Sequence, residues 1–271
     1  MFRPYSAGVP PSNASDRDHR LHQEWDPAIL DALAENDFYA SYKRRLRELQ
    51  APRTGGRHLD VGAGSGQAAL LLSAEWGVDV VAVDRSARMV RLAASRGLPH
   101  VVIADAHHLP FAAASFDGVS ADRVLQHLDD AEAALDQLIR VLRPGGRLVL
   151  ADPDYDMQAL DIEDQELARR VLRYRADVMV RNGASAHRQA GRLVERRFED
   201  VAVEARTIVV RRPGDVDNVL GLRGWAHHAV SRGHLPASEA ERFVRQFDRA
   251  AAAGRLTYAL TFLLTSGRAP G

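Results

Sequence analysis

A glycine-rich segment carries the residues best suited to let a ligand approach the backbone closely. It runs Asp60-Val-Gly62-Ala63-Gly64-Ser-Gly66 and lies between a predicted strand and a predicted helix. Because glycine has no Cβ, the backbone can turn sharply there, and the following helix offers unpaired N–H groups at its start. A tight connection in any α/β protein would show part of this pattern. The segment therefore indicates a nucleotide-like ligand only if a second feature supports it.

A carboxylate at the end of the next predicted strand supplies that second feature. Asp84 follows the run Val78-Asp-Val-Val-Ala-Val, where it can accept hydrogen bonds from both ribose hydroxyls of an adenosine. Dinucleotide-binding turns have the spacing G-x-G-x-x-G, whereas here every second residue is a glycine. The spacing thus favours an adenosine ligand other than a nicotinamide dinucleotide.

Two further groups of titratable residues could take part in chemistry. His127 lies in the loop after a predicted fourth strand, where an imidazole could act as a general base, position a substrate, or simply cap or pack. Asp152, Asp154 and Asp156 lie at the end of a predicted fifth strand and could bind a divalent cation. Carboxylates on a loop are commonly just hydrated, and we expect no metal.

The elements around these residues alternate between strand and helix. Strands are predicted at 58–61, 78–83, 101–105, 116–121 and 147–152, with helices at 65–76, 86–96 and 131–142. Strands that are apolar throughout and separated by single helices are typical of a parallel sheet covered on both faces. The fold class is therefore α/β, with a doubly wound, mostly parallel sheet of seven strands.

The two ends of the chain add a helical lid and a helical insertion. Residues 1–50 are predicted to form an arm and a lid with the aromatic side chains Trp25, Phe38, Tyr39 and Tyr42. Residues 51–271 form the main domain, with helices at 160–181 and 186–197 and a strand at 201–210. A helical insertion around 213–254 precedes a final antiparallel strand at 256–265.

The stretch from His58 to Pro153 resembles the class I S-adenosylmethionine-dependent methyltransferases, especially the quinone C-methyltransferases of ubiquinone and menaquinone synthesis. The resemblance rests on the glycine-rich turn, on Arg123-Val-Leu-Gln-His127-Leu, and on the turn Arg143-Pro-Gly-Gly. It implies that the glycine loop and Asp60 hold the methionine part of the cofactor. It also assigns the ribose, the adenine and the remaining cofactor contacts to Asp84, Arg85, Asp105, Ala106 and Arg123. His127 would face the methyl group as the catalytic residue.

The resemblance implies methylation of oxygen or carbon, with nitrogen left open, in a small-molecule acceptor such as a natural product or a quinone, with S-adenosylmethionine as the cofactor. The alternative is a cofactor-binding member of the same fold with a non-methylating role, such as a cyclase or a binding protein. Lys+Arg and Asp+Glu both number 36, so a nucleic-acid partner is not favoured. Cysteine is absent, and no apolar run suggests a membrane segment, so we expect a cytoplasmic protein. The sequence leaves monomer and homodimer open.

Overall fold

Seven strands form one sheet in the computed structural model, which describes residues 31, 36–212 and 221–271. Their order across the sheet is β3-β2-β1-β4-β5-β7-β6. The first five strands are parallel to one another, and β7 runs antiparallel to both of its neighbours. The strands are β1 Arg57–Val61, β2 Asp79–Asp84, β3 His100–Ile103, β4 Phe116–Asp122, β5 Leu142–Leu160, β6 Glu199–Val210 and β7 Tyr258–Arg268.

Eight helices with both ends described cover the sheet. They are α1 Asp37–Leu49, α2 Gln67–Trp76, α3 Ala87–Ser95, α4 Ala131–Val141, α5 Gln165–Tyr174, α6 Gln189–Glu195, α7 Leu222–Ser231 and α8 Ala237–Ala252. Several begin at a side-chain cap of the kind that satisfies a free helical N–H group. Ser86 accepts from Met89, Asp130 from Ala133, and Asp164 from Leu167.

The predicted fold class is confirmed, and the predicted element boundaries are right for the first four strands to within a few residues. The largest difference is in β5, which continues to Leu160 because β7 pairs with it on both sides of a register shift between Asp154 and Gln158. The helix predicted for 160–181 accordingly begins at Gln165. It ends in a π-helical turn at Arg175–Met179.

The predicted aromatic lid lies against the sheet as part of its main core. Tyr39 and Tyr42 of α1 are almost fully buried and pack edge-on or tilted against Phe262 of β7. The insertion helices contribute Phe243 and Phe247 to the same core. Trp25 lies outside the described residues.

A helix that crosses a membrane must be both long and apolar over its whole length. Within the described ranges, no helix combines that length with that apolar character.

Candidate active site at the carboxyl edge of the sheet

The candidate site lies where β1 and β4 are neighbours. The chain builds the sheet outward in one direction through β1, β2 and β3, and in the other through β4 and β5. Open α/β sheets bind ligands at such a reversal, beyond the carboxyl ends of the strands. All of the sequence-predicted site residues lie on these carboxyl ends or in the loops that follow them.

The glycine-rich turn after β1 depends on backbone conformations that other residues rarely adopt. Gly62, Gly64 and Gly66 all have positive φ, at 70°, 54° and 76°. A Cβ on Gly62 would lie 2.4 Å from Cγ2 of Val124, so the turn passes directly against the loop after β4. Gly66 caps α2 without any side-chain hydrogen bond, which leaves the first N–H groups of α2 available to a ligand.

Asp84 at the end of β2 ties this turn to the sheet. Its Oδ2 accepts from the backbone N–H of Gly64 at 2.8 Å, and its Oδ1 accepts from Ser86 at 2.9 Å. The backbone N–H groups of Gly62 and Ala63 donate to the carbonyl oxygen of Val83. A carboxylate has about four acceptor positions, so Asp84 keeps capacity for hydroxyl donors.

Asp60 is buried beneath the turn. It stands opposite Ser120 of β4 in the sheet register, and the Ser120 hydroxyl donates to its Oδ1 at 3.1 Å. Burial raises the pKa of Asp60 to about 7, while the Ser120 hydrogen bond and the Lys43 charge lower it. A cationic group brought near Asp60 would favour its ionised form.

Helix α1 adds side chains that no sequence motif assigned to a reaction site. The Tyr42 hydroxyl donates to both oxygens of Asp122, at 2.9 and 3.1 Å, and Lys43 Nζ lies 3.6 Å from Oδ2 of the same carboxylate. Desolvation lowers the pKa of Lys43. The one sequence feature that could have drawn attention to Lys43 is that it is the only lysine in the sequence.

The residues assigned to the adenine form the outer rim of the site. Asp105 is exposed, and its Oδ1 accepts from the backbone N–H of His107 and lies 2.6 Å from Nδ1 of the same residue. These bonds lower the pKa of Asp105. Ala106 is buried beside it, and Arg85 is exposed at the end of β2.

Arg123 and His127 follow β4, on the opposite side of the glycine turn from Asp105. Arg123 is a non-glycine residue at φ +57°, a conformation that costs about 1–3 kcal/mol and is often found at functional sites. Its backbone N–H donates to the carbonyl oxygen of Ala151 at 2.6 Å, which fixes the start of the loop. Its guanidinium lies 5.5 Å from the centre of the Tyr39 ring.

His127 is exposed to solvent. Partial desolvation by the surrounding protein, together with the positive charges of Arg123, Arg175 and Arg85, lowers the pKa of His127 to about 4. The imidazole is therefore neutral at neutral pH. Nε2 of Gln126 lies 3.0 Å from Nε2 of His127, while the buried Oε1 of Gln126 has no partner.

The carboxylates Asp152, Asp154 and Asp156 lie within β5, which is longer than predicted, and they have protein partners. The buried Asp154 accepts from the backbone of Asp156 and from His187. Asp152 accepts from the side-chain amide of Gln189 at 2.8 Å, and burial raises its pKa to about 8. No group of three or more potential metal ligands occurs in the described part of the chain.

Comparison with known proteins agrees with this architecture. Residues 59–150 match a family described as "Methyltransferase domain". An uncharacterised 37.1 kDa protein of transposon TN4556 from Streptomyces fradiae is 37% identical over 223 residues, covering 80% of this chain and 65% of that protein. A demethylmenaquinone methyltransferase from Beutenbergia cavernae is 41% identical over 112 residues, covering 41% of this chain and 46% of the relative. The chain thus spans less than two thirds of either relative.

A solved structure shares the fold over almost the whole chain. The cyclase SpnF superposes with a TM-score of 0.57 at 21% identity, covering 94% of this chain and 95% of that one. Residues 59–150 thus carry a methyltransferase domain, and the resemblance to the class I S-adenosylmethionine-dependent methyltransferases that the sequence motifs predicted is confirmed.

The close approach of Gly62 to Val124 makes a stability prediction with an internal control. Gly55 has a similar φ, +79°, but a Cβ added there would meet nothing within 4 Å. We expect Gly55→Ala to lower the free energy of unfolding by about 1–2 kcal/mol through backbone strain alone. Gly62→Ala should cost about 1–3 kcal/mol more through overpacking. Chemical denaturation measures both, and Val124→Ala in the Gly62→Ala background should recover the excess. If both substitutions lowered the free energy of unfolding by the same amount, the close approach of Gly62 to Val124 would be contradicted.

The raised pKa of Asp152 predicts how stability varies with pH. Between about pH 4 and 8 the folded chain holds a proton on Asp152 that the unfolded chain has lost, so the free energy of unfolding falls as pH rises through this window. The slope from one such group approaches about 1.4 kcal/mol per pH unit. Asp152→Asn stays neutral and should remove this component, whereas Asp156→Asn should retain it. Parallel pH profiles for wild type and Asp152→Asn would contradict the assignment.

Proposed function

We propose that the protein transfers the methyl group of S-adenosylmethionine to an oxygen or carbon atom of a small-molecule acceptor. The observation that carries the proposal is the glycine turn fastened to Asp84 beside the loop Arg123–His127, at the reversal of strand order. When bound, the cofactor supplies an activated methyl group, so the protein's task is alignment, exclusion of water and removal of any proton.

The described residues fit such a cofactor. The uncapped start of α2 and the positive-φ glycines allow close approach of a carboxylate-bearing tail. Asp84 offers free acceptor positions for ribose hydroxyls, and Asp60 lies where an ammonium group would favour its ionised form. Ala106, Asp105 and Arg85 lie at the rim beyond β2 and β3, on the side proposed for adenine.

His127 is the proposed catalytic residue. Its solvent-open imidazole is neutral at pH 7, the form that can accept a proton. Rotating the side-chain amide of Gln126 by 180° would bring its buried Oε1 within hydrogen-bond distance of Nε2 of His127. The N–H group at Nε2 of His127 would then donate to that oxygen, and Nδ1 of His127 would be the free acceptor. In that arrangement Nδ1 takes the proton that the acceptor loses.

The activity is tested with S-adenosylmethionine carrying an isotope-labelled methyl group, incubated with a metabolite extract of the source cells. Mass analysis should detect a product heavier by one labelled methyl group. With that acceptor in hand, His127→Ala and His127→Gln should each lower kcat by about 10²–10⁴. The affinity for S-adenosylhomocysteine should stay unchanged, with His108→Gln as the control. If both His127 variants kept a near-wild-type kcat, alignment of cofactor and acceptor alone would account for the rate, and His127 would have no catalytic role. If the protein bound S-adenosylhomocysteine but formed no labelled product, the proposed methyl transfer would be contradicted.

A further inference from the structure

Arg175 is a cation without a carboxylate partner in the described part of the chain. It begins the π-helical turn after α5, an irregularity that is frequent at functional sites. Its guanidinium lies 4.1 Å from the centre of the Trp225 ring and 4.8 Å from that of Tyr155. Nε is buried with no acceptor, and Nη2 makes a single long contact, 3.5 Å, to the Tyr155 hydroxyl.

Arg123 is similarly short of acceptors. Its nearest carboxylate oxygen, on Asp122, is 3.9 Å from Nε, which is too far for a hydrogen bond. That carboxylate already accepts two bonds from Tyr42 and lies beside Lys43. The Arg123 guanidinium is instead held by the Tyr39 ring.

The two arginines act on the same place. Arg123 lies in the same loop as His127, and the guanidinium of Arg175 lies 4.8 Å from the centre of the Tyr155 ring. The positive charges of both arginines also lower the pKa of His127. Asp152 does not balance them, because burial raises its pKa to about 8 and it is neutral at pH 7. Two partly buried guanidinium groups therefore lie within electrostatic range of the proposed catalytic imidazole, and the buried Nε of each has no hydrogen-bond acceptor. Such groups are stabilised by an anion that accepts paired hydrogen bonds.

We propose that Arg123 and Arg175 bind an anionic oxygen group of the methyl acceptor, a carboxylate or a phosphate, next to the atom that receives the methyl group. For Arg123 this replaces the cofactor contact that the family resemblance implies. This assignment rests on the proposed function and names the substrate class for it. An aromatic ring lies next to each guanidinium, and the planar fork of an arginine can present N–H groups to two oxygens at once.

The same anion would change the chemistry of His127. Negative charge between the arginines offsets the positive field that holds the imidazole pKa low. An acceptor bound there would thus raise the pKa of His127 towards its ordinary value and make it a stronger base. Proton removal would then be efficient only when the correct acceptor is in place.

The experiment follows the His127 imidazole by NMR in the full-length protein, with its signals identified by their loss in His127→Gln. Benzoate, phenyl phosphate and the neutral benzamide are titrated separately, with and without S-adenosylhomocysteine. Benzoate or phenyl phosphate should raise the pKa of His127. The one that binds more tightly shows whether the site prefers a carboxylate or a phosphate. Arg175→Gln should weaken that binding about tenfold or more, and Arg123→Lys should weaken it too. The exposed control Arg173→Gln should leave it unchanged.

Three results would overturn the proposal: no effect of either anion, an equal effect of benzamide, or full anion affinity in Arg175→Gln. Calorimetric binding of S-adenosylhomocysteine is read independently. Cofactor binding without an anion effect removes the substrate class and leaves the proposed function intact. An anion effect without cofactor binding removes the proposed function and leaves an anion site.

Discussion

The hydrogen bond from the Gly64 N–H group to Asp84 is the contact on which the geometry of the site depends. It holds the turn after β1 against the end of β2, while Gly62 lies so close to Val124 that no Cβ fits between them. The turn is therefore clamped between the loops that follow its two neighbouring strands. This fixes the start of α2 at the edge of the sheet, where no side chain caps its first N–H groups.

Charge distribution divides the edge of the sheet into two parts. On the side of β1 and β2, the carboxylates Asp60 and Asp84 favour a ligand with ammonium and hydroxyl donors. On the side of β4 and β5, the guanidinium groups of Arg123 and Arg175 depress the pKa of His127, and Asp152 is neutral at pH 7 because burial raises its pKa to about 8. A cationic cofactor and an anionic acceptor would each meet the complementary part. Their reacting atoms would then meet between them, near His127.

The sequence predicted the parts of this site that depend on local pattern. Apolar runs and the glycine turn predicted the parallel sheet and the positions of Asp84 and His127, because strand period and turn chemistry are encoded by adjacent residues. The role of Asp84 as a tether for Gly64, and the partners Tyr42 and Lys43 of Asp122, depend on contacts between distant segments. No local pattern distinguished Arg175 from the other arginines near it. The length of β5 was also missed, because pairing with β7 extends it.

The most direct measurement is the thermal stability of the purified protein with S-adenosylhomocysteine and, separately, with NAD. At about 100 times its dissociation constant, S-adenosylhomocysteine should add roughly 2.7 kcal/mol to the free energy of unfolding. Asp84→Asn should reduce the affinity by about 1.5–3 kcal/mol, since it weakens both the tether and the hydroxyl acceptor. Asp79→Asn, at the other end of β2, should not. Stabilisation by NAD but not by S-adenosylhomocysteine would contradict the cofactor assignment. Full affinity of Asp84→Asn for S-adenosylhomocysteine would contradict the role of Asp84 as tether and hydroxyl acceptor.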